Sequence, residues 1–447
     1  MPATQTTAAI LSIGDELALG QILDTNSQWI ADRLLTLGVR TAEHLTVDDD
    51  LPRLTDAIRR LAERHTLLVC TGGLGPTADD LTRQALAAAM GETLVEDPDA
   101  LAHIEAWFVG RGGMPATNRV QALRPRSSRC LSNPHGTAPG LAALLGATRV
   151  FCLPGPPHEM TPMFEAFVAP EAAARDRAVR TRTVLTFGLG ESRVAEILGP
   201  LMDRDRPSRG LPLVGTTASR GVVSCRLRVE APTAEQADAA LDATEAEVTA
   251  LLGPAVFDRR DPASGDSPDI ADALPRALLA LLRGRGERVA VVESCTGGLI
   301  GAELASVPGS SDAFAGGWVT YSNEIKIALG VPREIIERHG AVSGTCAIAM
   351  ARAGLERALA ADPTCAHAVA VTGIAGPGGG TDDKPVGTVW VAAVSLEGPD
   401  EARRFRFRGG RDAVRGWAAR AALGLVRLRL IGREMPLLGE AERLASG

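Results

Sequence analysis

The sequence predicts an α/β protein: two three-layer α/β domains with largely parallel sheets, joined by a small α+β module. Three observations carry that prediction. Short buried-strand candidates alternate with amphipathic stretches over residues 1–172, and again over 273–432. The pattern between them, over 173–256, changes to a smaller set of strands and helices of roughly eighty residues, enough for an independent module. Several strand candidates run straight into glycine-rich turns, as the strand-to-helix connections of parallel sheets do. The 447 residues fit about three domains at ~150 residues each.

In the first domain, Ala8–Ile13 reads as a short buried strand. Asn26 then caps a helix whose apolar face uses Trp29, Ile30, Leu34 and Leu35. Val39–Val47 reads as a second strand, Leu51–Arg64 as an amphipathic helix and Thr66–Cys70 as a third strand. That strand enters the loop Thr71-Gly-Gly-Leu-Gly-Pro-Thr77, and a helix follows from about Ala78 to Met90. Arg149–Leu153 reads as a later strand of the same sheet, ending in Pro154-Gly-Pro-Pro-His-Glu-Met160.

The middle module reads as strand Thr181–Phe187, helix Glu191–Met202, strand Arg220–Val229 and helix Ala234–Leu252. Residues 257–272, rich in Asp, Pro, Ser and Gly, read as a linker. In the last domain a helix spans about Ile270–Arg283, and strand Arg288–Val292 meets Glu293-Ser-Cys-Thr-Gly-Gly298. Gly317–Tyr321 is a second strand, Ser343 caps a helix to Ala361, and Ala366–Thr372 enters Gly373–Gly380. Strands Val386–Ser395 and Arg403–Phe407 and a helix from about Arg411 to Gly432 complete the domain, leaving 433–447 as a tail.

Composition excludes several classes. Apolar residues make up 45% and charged residues 23%, ordinary for a folded soluble chain. The balance of 47 basic against 54 acidic residues gives no support for general nucleic-acid binding. No apolar run reaches the ~18 residues of a membrane span. The start Met1-Pro-Ala-Thr-Gln lacks the charge of a signal peptide. Seven scattered cysteines without a Cys-x-x-Cys pair fit a reducing cytosol.

Rare residues say more. Lys326 and Lys384 are the only lysines, and Tyr321 is the only tyrosine. Lys326, Tyr321 and Asn323 fall within six residues of one another. A chain that uses arginine for its surface cations keeps lysine where a proton must be lost; chance among scarce residue types is the plain alternative.

Two C-terminal turns, Ser294–Gly298 and Gly373–Gly380, each follow a buried strand. Glycines there let backbone N–H groups approach a ligand, and the helix start after the first turn favours an anion. A phosphate-bearing small molecule is the expected guest. Acyl chemistry needs a nucleophile and a base: Ser311 or Ser294 could attack, and Lys326, with its pKa lowered by burial, could take the proton. Tyr321 is close enough in sequence to hold or relay it. Equally, serines cap helices, and a lysine in a first helical turn is commonly solvated.

In the N-terminal domain, Gly14-Asp-Glu-Leu17 and Thr71–Thr77 both follow strands, so both loops fall on the carboxyl edge of the sheet. Asp79 and Asp80 stand just beyond the second loop. Loop amides with adjacent carboxylates predict a phosphate site assisted by a hard divalent cation, although the same carboxylates also favour a helix N-terminus. The chain lacks the Gly-Lys-Ser/Thr ending of a P-loop. His135 and His158 lack zinc-ligand spacing and read as loop residues.

Taken together, these motifs resemble the CinA family of bacterial competence/damage-inducible proteins over nearly the full length. The resembling segments are Gly14-Asp-Glu-Leu, Asp24-Thr-Asn-Ser27, Thr71–Asp80, Asn133, Gly136-Thr-Ala-Pro-Gly140 and Pro154–Met160, then Thr186–Ser192. They continue in Glu293–Gly298, Gly309-Ser-Ser311, Tyr321–Lys326, Gly373–Pro377, Lys384–Thr388 and Gly410–Arg415. The resemblance implies a molybdopterin-binding-like first domain, a KH-like middle module and a C-terminal nicotinamide mononucleotide (NMN) amidohydrolase domain in pyridine nucleotide salvage. It favours Ser311 as nucleophile, Lys326 and Tyr321 as its activating pair, and Ser294 and Arg411 as further active-site residues. Around them Thr296, Gly297, Gly298, Asn323, Gly373 and Gly376 would contact substrate. For the first domain it implies hydrolysis of the ADP-ribose pyrophosphate, with Gly14, Asp15, Glu16, Asn26, Gly72, Gly73, Gly75 and Thr77 against the nucleotide. Asp79 and Asp80 would hold magnesium or cobalt, with potassium as a second ion; the C-terminal domain would need no cofactor. In Gly409-Gly-Arg411, Gly410 stands where the related Gly-Asp-Arg motif has Asp. The resemblance further implies a cytoplasmic homodimer. A molybdopterin-type ligand binder, or a competence accessory protein with an inactive first domain, is the alternative from another class.

Overall fold

The computed structural model describes residues 7–110, 112–172, 178–204, 210–261, 270 and 272–445. The chain divides into two compact units: residues 1–180 with 229–239, and 181–228 with 240–447. Most of the middle module therefore folds with the C-terminal half.

In the first unit, β1 (Thr7–Ile13), β2 (Arg40–Val47), β3 (Leu67–Thr71), β6 (Arg129–Leu131), β7 (Gly140–Leu145) and β8 (Thr148–Leu153) form one sheet; β4 (Leu94–Glu96) and β5 (Leu123–Pro125) pair separately. The sheet order is β2-β1-β3-β8-β7-β6, with β2, β1, β3 and β8 parallel. Strand periodicity sends alternate side chains to opposite faces. Ala8 and Ile10 pack with Ile30 and Leu34 of helix Thr25–Thr36, while Ala9, Leu11 and Ile13 pack with Leu54, Ile58 and Leu61 of helix Leu51–Arg64. Both faces are covered, which is why β1 reads as an unbroken apolar run.

Two sequence expectations shift here. The cap of helix Thr25–Thr36 is Asp24, whose Oδ1 accepts from Ser27 N at 2.9 Å, rather than Asn26. The helix expected from Ala78 starts at Thr82, because the preceding residues are wound around Asp80.

In the middle module, β9 (Ala178–Phe187), β10 (Leu213–Ser219), β11 (Val222–Ala231) and β12 (Val256–Arg260) form a sheet in the order β10-β11-β9-β12. The expected linker thus begins as a strand; its residues 262–269 and 271 lie outside the described residues. Leu185, Phe187 and Val222 share a core with helix Arg411–Leu430. Gly424 of that helix lets the Phe187 ring lie against the backbone, where a Cβ would collide with the ring.

The C-terminal sheet comprises β13 (Arg288–Glu293), β14 (Phe314–Val319), β15 (Cys365–Gly373), β16 (Thr388–Ser395), β17 (Glu401–Arg406) and β18 (Glu440–Ala445), in the order β14-β13-β15-β16-β17-β18. The first three are parallel and the rest antiparallel. Val289 and Val291 face helices Ala273–Arg285 and Arg411–Leu430, while Ala290 and Val292 face helix Gly344–Ala361. The expected tail is corrected: 440–445 forms β18 against β17. Ser343 caps helix Gly344–Ala361 as expected, its Oγ accepting from Cys346 N at 3.2 Å.

Among the described residues no helix is long and apolar enough to cross a membrane.

Candidate active sites at two sheet switch points

Each α/β sheet contains the same local order. The chain leaves β1 to one side for β2 and returns on the other as β3; likewise β13 is flanked by β14 and β15. Ligands of open α/β sheets bind at such switch points, beyond the carboxyl ends of the strands. The loops after β1 and β3, and those after β13 and β15, occupy these places.

At the C-terminal switch point Ser294 follows β13 directly, its N–H donating to Val371 O of β15 at 2.9 Å. Its Oγ accepts from Lys326 Nζ at 3.1 Å, and Nζ also donates to Thr320 O at 2.7 Å. Both side chains are buried, Lys326 to 2% exposure. Burial pushes the Lys326 pKa below the ordinary lysine value, against the smaller opposing effects of the Cys346 and Cys295 thiols. The Cys295 thiol, in turn, is pushed up to about 11, chiefly by burial, so it remains protonated near neutral pH.

The structure therefore brings Lys326 to Ser294, not to Ser311. Ser311 lies in the one-turn segment Ser310–Asp312, is exposed, and its hydroxyl makes no hydrogen bond among the described residues. The expected Lys326–Tyr321 pairing is corrected as well. The Tyr321 hydroxyl accepts from Arg411 Nη2 at 2.7 Å, and the residue is 59% exposed. Arg411 Nη1 donates to Gly376 O at 2.8 Å, so Arg411 ties Tyr321 to the turn after β15. Gly410, where Asp was expected, caps helix Arg411–Leu430 in extended backbone at φ −73°, a conformation that any residue adopts. Asn323 opens helix Asn323–Leu329 on an exposed face.

The expected anion at the helix start after Ser294 proves to be internal. Glu293, absent from the sequence-derived candidates, is fully buried. Its carboxylate accepts from the amides of Gly298 at 2.9 Å, Ile300 at 3.2 Å and Gly301 at 2.9 Å. Gly297 and Gly298 have φ +63° and +96°, and the N–H of Gly297 donates back to Ser294 O. These amides hold the Ser294 turn through Glu293. Thr296 is buried; its carbonyl accepts from Arg415, while its Oγ1 has no partner among the described residues. Gly373 is needed for packing, since a Cβ would press on Thr388 O at 2.7 Å.

The N-terminal switch point opens into a cleft of about 620 Å³. Gly14, Glu16, Asn26, Gly72, Gly73, Gly75, Thr77, Asp79 and Asp80 line it as expected; Asp15 does not. Asp15 and Asp49 bracket each other instead, each N–H donating to the other's carboxylate at 3.0 and 3.1 Å. Asn26 donates to Thr71 Oγ1 at 3.0 Å and Gly155 O at 2.7 Å, clamping two loops. Asn133 similarly holds Glu159, another lining carboxylate, at 2.6 Å. His135 is an exposed turn residue as expected, whereas His158, also exposed, is corrected to the first turn of helix Pro157–Met163.

The loop amides expected to cradle a phosphate are taken by acceptors of the chain itself. The amides of Gly75 and Thr77 donate to Asp80 Oδ1 and Oδ2 at 2.7 and 2.8 Å, the Thr77 hydroxyl donates to Oδ2, and Gly72 N–H donates to Leu153 O. Asp80 is thus the brace of its own loop. Asp79 is an exposed lining residue of the cleft, its pKa lowered first by the Thr77 hydroxyl. Burial raises the pKa of Asp49, helped by the nearby carboxylates of Asp15, Asp79 and Glu16. Among the described residues no group of three or more His, Cys, Asp or Glu side chains is arranged to hold a metal. Six carboxylates line the cleft, those of Glu16, Asp24, Asp49, Asp79, Asp80 and Glu159, without a lysine, arginine or histidine among the lining residues.

Three family models match successive segments of the chain. Residues 9–174 match the family model described as "Probable molybdopterin binding domain", 181–257 the damage-inducible protein CinA KH domain, and 271–430 the CinA C-terminal domain. A CinA-like protein of Synechococcus sp. (strain RCC307) is 41% identical over 429 residues, covering 94% of this chain and 98% of its own. A CinA-like protein of Geobacter metallireducens is 42% identical over 429 residues, covering 95% and 99%. The crystal structure of a competence/damage inducible protein from Agrobacterium tumefaciens is 38% identical, covering 37% of this chain and 97% of its own, at TM-score 0.34. With relatives of this identity aligned from end to end, the chain belongs to the CinA family of competence/damage-inducible proteins.

Proposed function

We propose that the C-terminal domain hydrolyses the carboxamide of NMN to nicotinic acid mononucleotide and ammonia, with Ser294 as nucleophile and Lys326 as base. One observation carries this reading: a buried serine hydroxyl 3.1 Å from a buried lysine whose pKa burial lowers. Neutral Lys326 accepts the Ser294 proton as Oγ attacks the carboxamide carbon. It then returns that proton to the departing nitrogen, so ammonia leaves and an acyl-serine remains. Water, deprotonated by the same amine, releases the carboxylate and restores both side chains. Arginine could not serve, because its guanidinium stays protonated. Family resemblance supports NMN as the substrate, and the Lys326–Ser294 contact supports Ser294 over Ser311 as nucleophile.

The test is ammonia release from NMN by the full-length protein. Wild type should release it, Ser294→Ala should lose roughly 10³-fold or more, and Ser311→Ala should retain most activity. Ammonia release surviving in a folded Ser294→Ala protein overturns the assignment. Absence of release from wild type favours the binding or accessory class instead.

For the N-terminal cleft the proposal is hydrolysis of the ADP-ribose pyrophosphate. Its support is the cleft at the switch point, and its difficulty is the lining: six carboxylates repel an anion unless cations accompany it. Turnover of ADP-ribose with magnesium, cobalt, potassium or chelator decides it.

A further inference from the structure

Lys326 accounts for one of the two lysines; Lys384 is the other. It lies between β15 and β16, beyond the turn that Arg411 contacts through Gly376. The loop is held locally: Thr381 N–H donates to Lys384 O at 3.0 Å, and Lys384 N–H to Thr381 Oγ1 at 3.1 Å. Lys384 Nζ donates to His339 O at 3.2 Å, beside Gly340. Thr372 Oγ1 in turn donates to Ala341 O at 2.7 Å, fastening this segment to the end of β15. Cys346, in the first turn of helix Gly344–Ala361, feels the positive charges of both Lys326 and Lys384. The loop bearing Lys384 follows β15 as Ser294 follows its parallel neighbour β13, so both belong to the same carboxyl edge of the sheet.

A nucleotide substrate brings a phosphate monoester, a dianion that needs cationic donors. The helix start after Ser294 is unavailable, being filled by Glu293. Arg411 already donates to Tyr321 and Gly376, and Arg415 to Thr296 and Asp412. Lys384 Nζ, partly exposed, has one hydrogen bond to a carbonyl and further N–H donors to offer. We propose that Lys384 anchors the substrate phosphate at the C-terminal site and so selects a nucleotide over the corresponding nucleoside. This rests on the NMN reading for the identity of the substrate.

The experiment compares full-length wild type, Lys384→Gln and Lys384→Arg on NMN and on nicotinamide riboside. Wild type should favour NMN in kcat/KM. Lys384→Gln should reduce that preference by roughly tenfold or more, mostly through KM, and Lys384→Arg should keep much of it, since guanidinium also binds phosphate. An unchanged preference in Lys384→Gln, or an equal loss on both substrates, overturns the proposal. Calorimetric titration with ribose 5-phosphate and with ribose gives a readout independent of turnover. Wild type should bind the phosphorylated sugar more tightly, and Lys384→Gln should lose that difference. If no variant turns over NMN, the substrate reading fails while the titration still decides Lys384. Wild type that binds ribose 5-phosphate no better than ribose overturns the anchor.

Discussion

The two switch-point sites use the same construction and end with different buried cations. In each, a buried or half-buried carboxylate of the chain itself takes the loop amides: Asp80 at the N-terminal site and Glu293 at the C-terminal one. In each, a buried cation lies next to the loop. The N-terminal cation is Arg83, which donates to Gly75 O at 3.2 Å and to Leu74 O. Burial lowers its pKa to about 10, so it still holds its proton at neutral pH. The C-terminal cation is Lys326, beside a serine. The same desolvation acting on a lysine yields a group that can give up its proton. The lesson is that glycine-loop geometry makes a scaffold, and the identity of the buried cation decides whether the scaffold can do proton chemistry.

The comparison breaks most sharply at Lys326. Lys326→Arg should reduce NMN turnover by roughly 10²–10⁴-fold, because it converts the C-terminal cation to the N-terminal type. The pH–rate profile checks it: wild-type rate should rise with pH through the Lys326 pKa, which lies below that of an exposed lysine. A Lys326→Arg protein keeping both rate and acid limb would falsify the base assignment.

The two braces come next. Glu293→Ala leaves three amides without their charged acceptor and should cost about 3 kcal/mol or more of stability, since charge-assisted bonds contribute ~1.5–3 kcal/mol each. Asp80→Ala, at a more exposed loop, should cost less, about 1–2 kcal/mol, and leave ammonia release intact. Denaturant unfolding alongside the NMN assay reads both; a loss of NMN turnover in folded Asp80→Ala would contradict a purely local role for this brace.

A smaller effect is expected at Tyr321. Removing its hydroxyl costs one hydrogen bond from Arg411, so Tyr321→Phe should lower kcat/KM by roughly tenfold or less, about 1 kcal/mol. A loss as large as that of Lys326→Arg would restore Tyr321 to the proton path. The smallest effect is on stability in acid. Lys326 binds its proton less readily folded than unfolded, so that proton destabilises the fold, fully below the folded pKa. Stability should therefore rise with pH across the window up to the unfolded lysine value. Lys326→Met should narrow the difference between acid and alkaline stability, measured by thermal unfolding at several pH values.

What the sequence by itself determined is local. Periodicity marked helices Leu51–Arg64, Glu191–Met202 and Ala234–Leu252 at their observed ends, and the apolar runs of β1 and β13 declared strands covered on both faces. Lysine scarcity singled out Lys326, because a residue type spared everywhere else signals chemistry that arginine lacks. Tertiary structure alone decided three things. Residues 440–445 carry little strand propensity and became β18 because the edge of β17 offered unpaired backbone groups. Glycine-loop amides faced Asp80 and Glu293 rather than a ligand, because only the folded chain reveals which acceptor reaches them first. And Lys326 met Ser294, 32 residues away along the chain, rather than the nearer Ser311, because β13 and β14 are neighbours whose carboxyl ends converge. Sequence separation orders residues along the chain, whereas a nucleophile is chosen by distance and desolvation across the sheet.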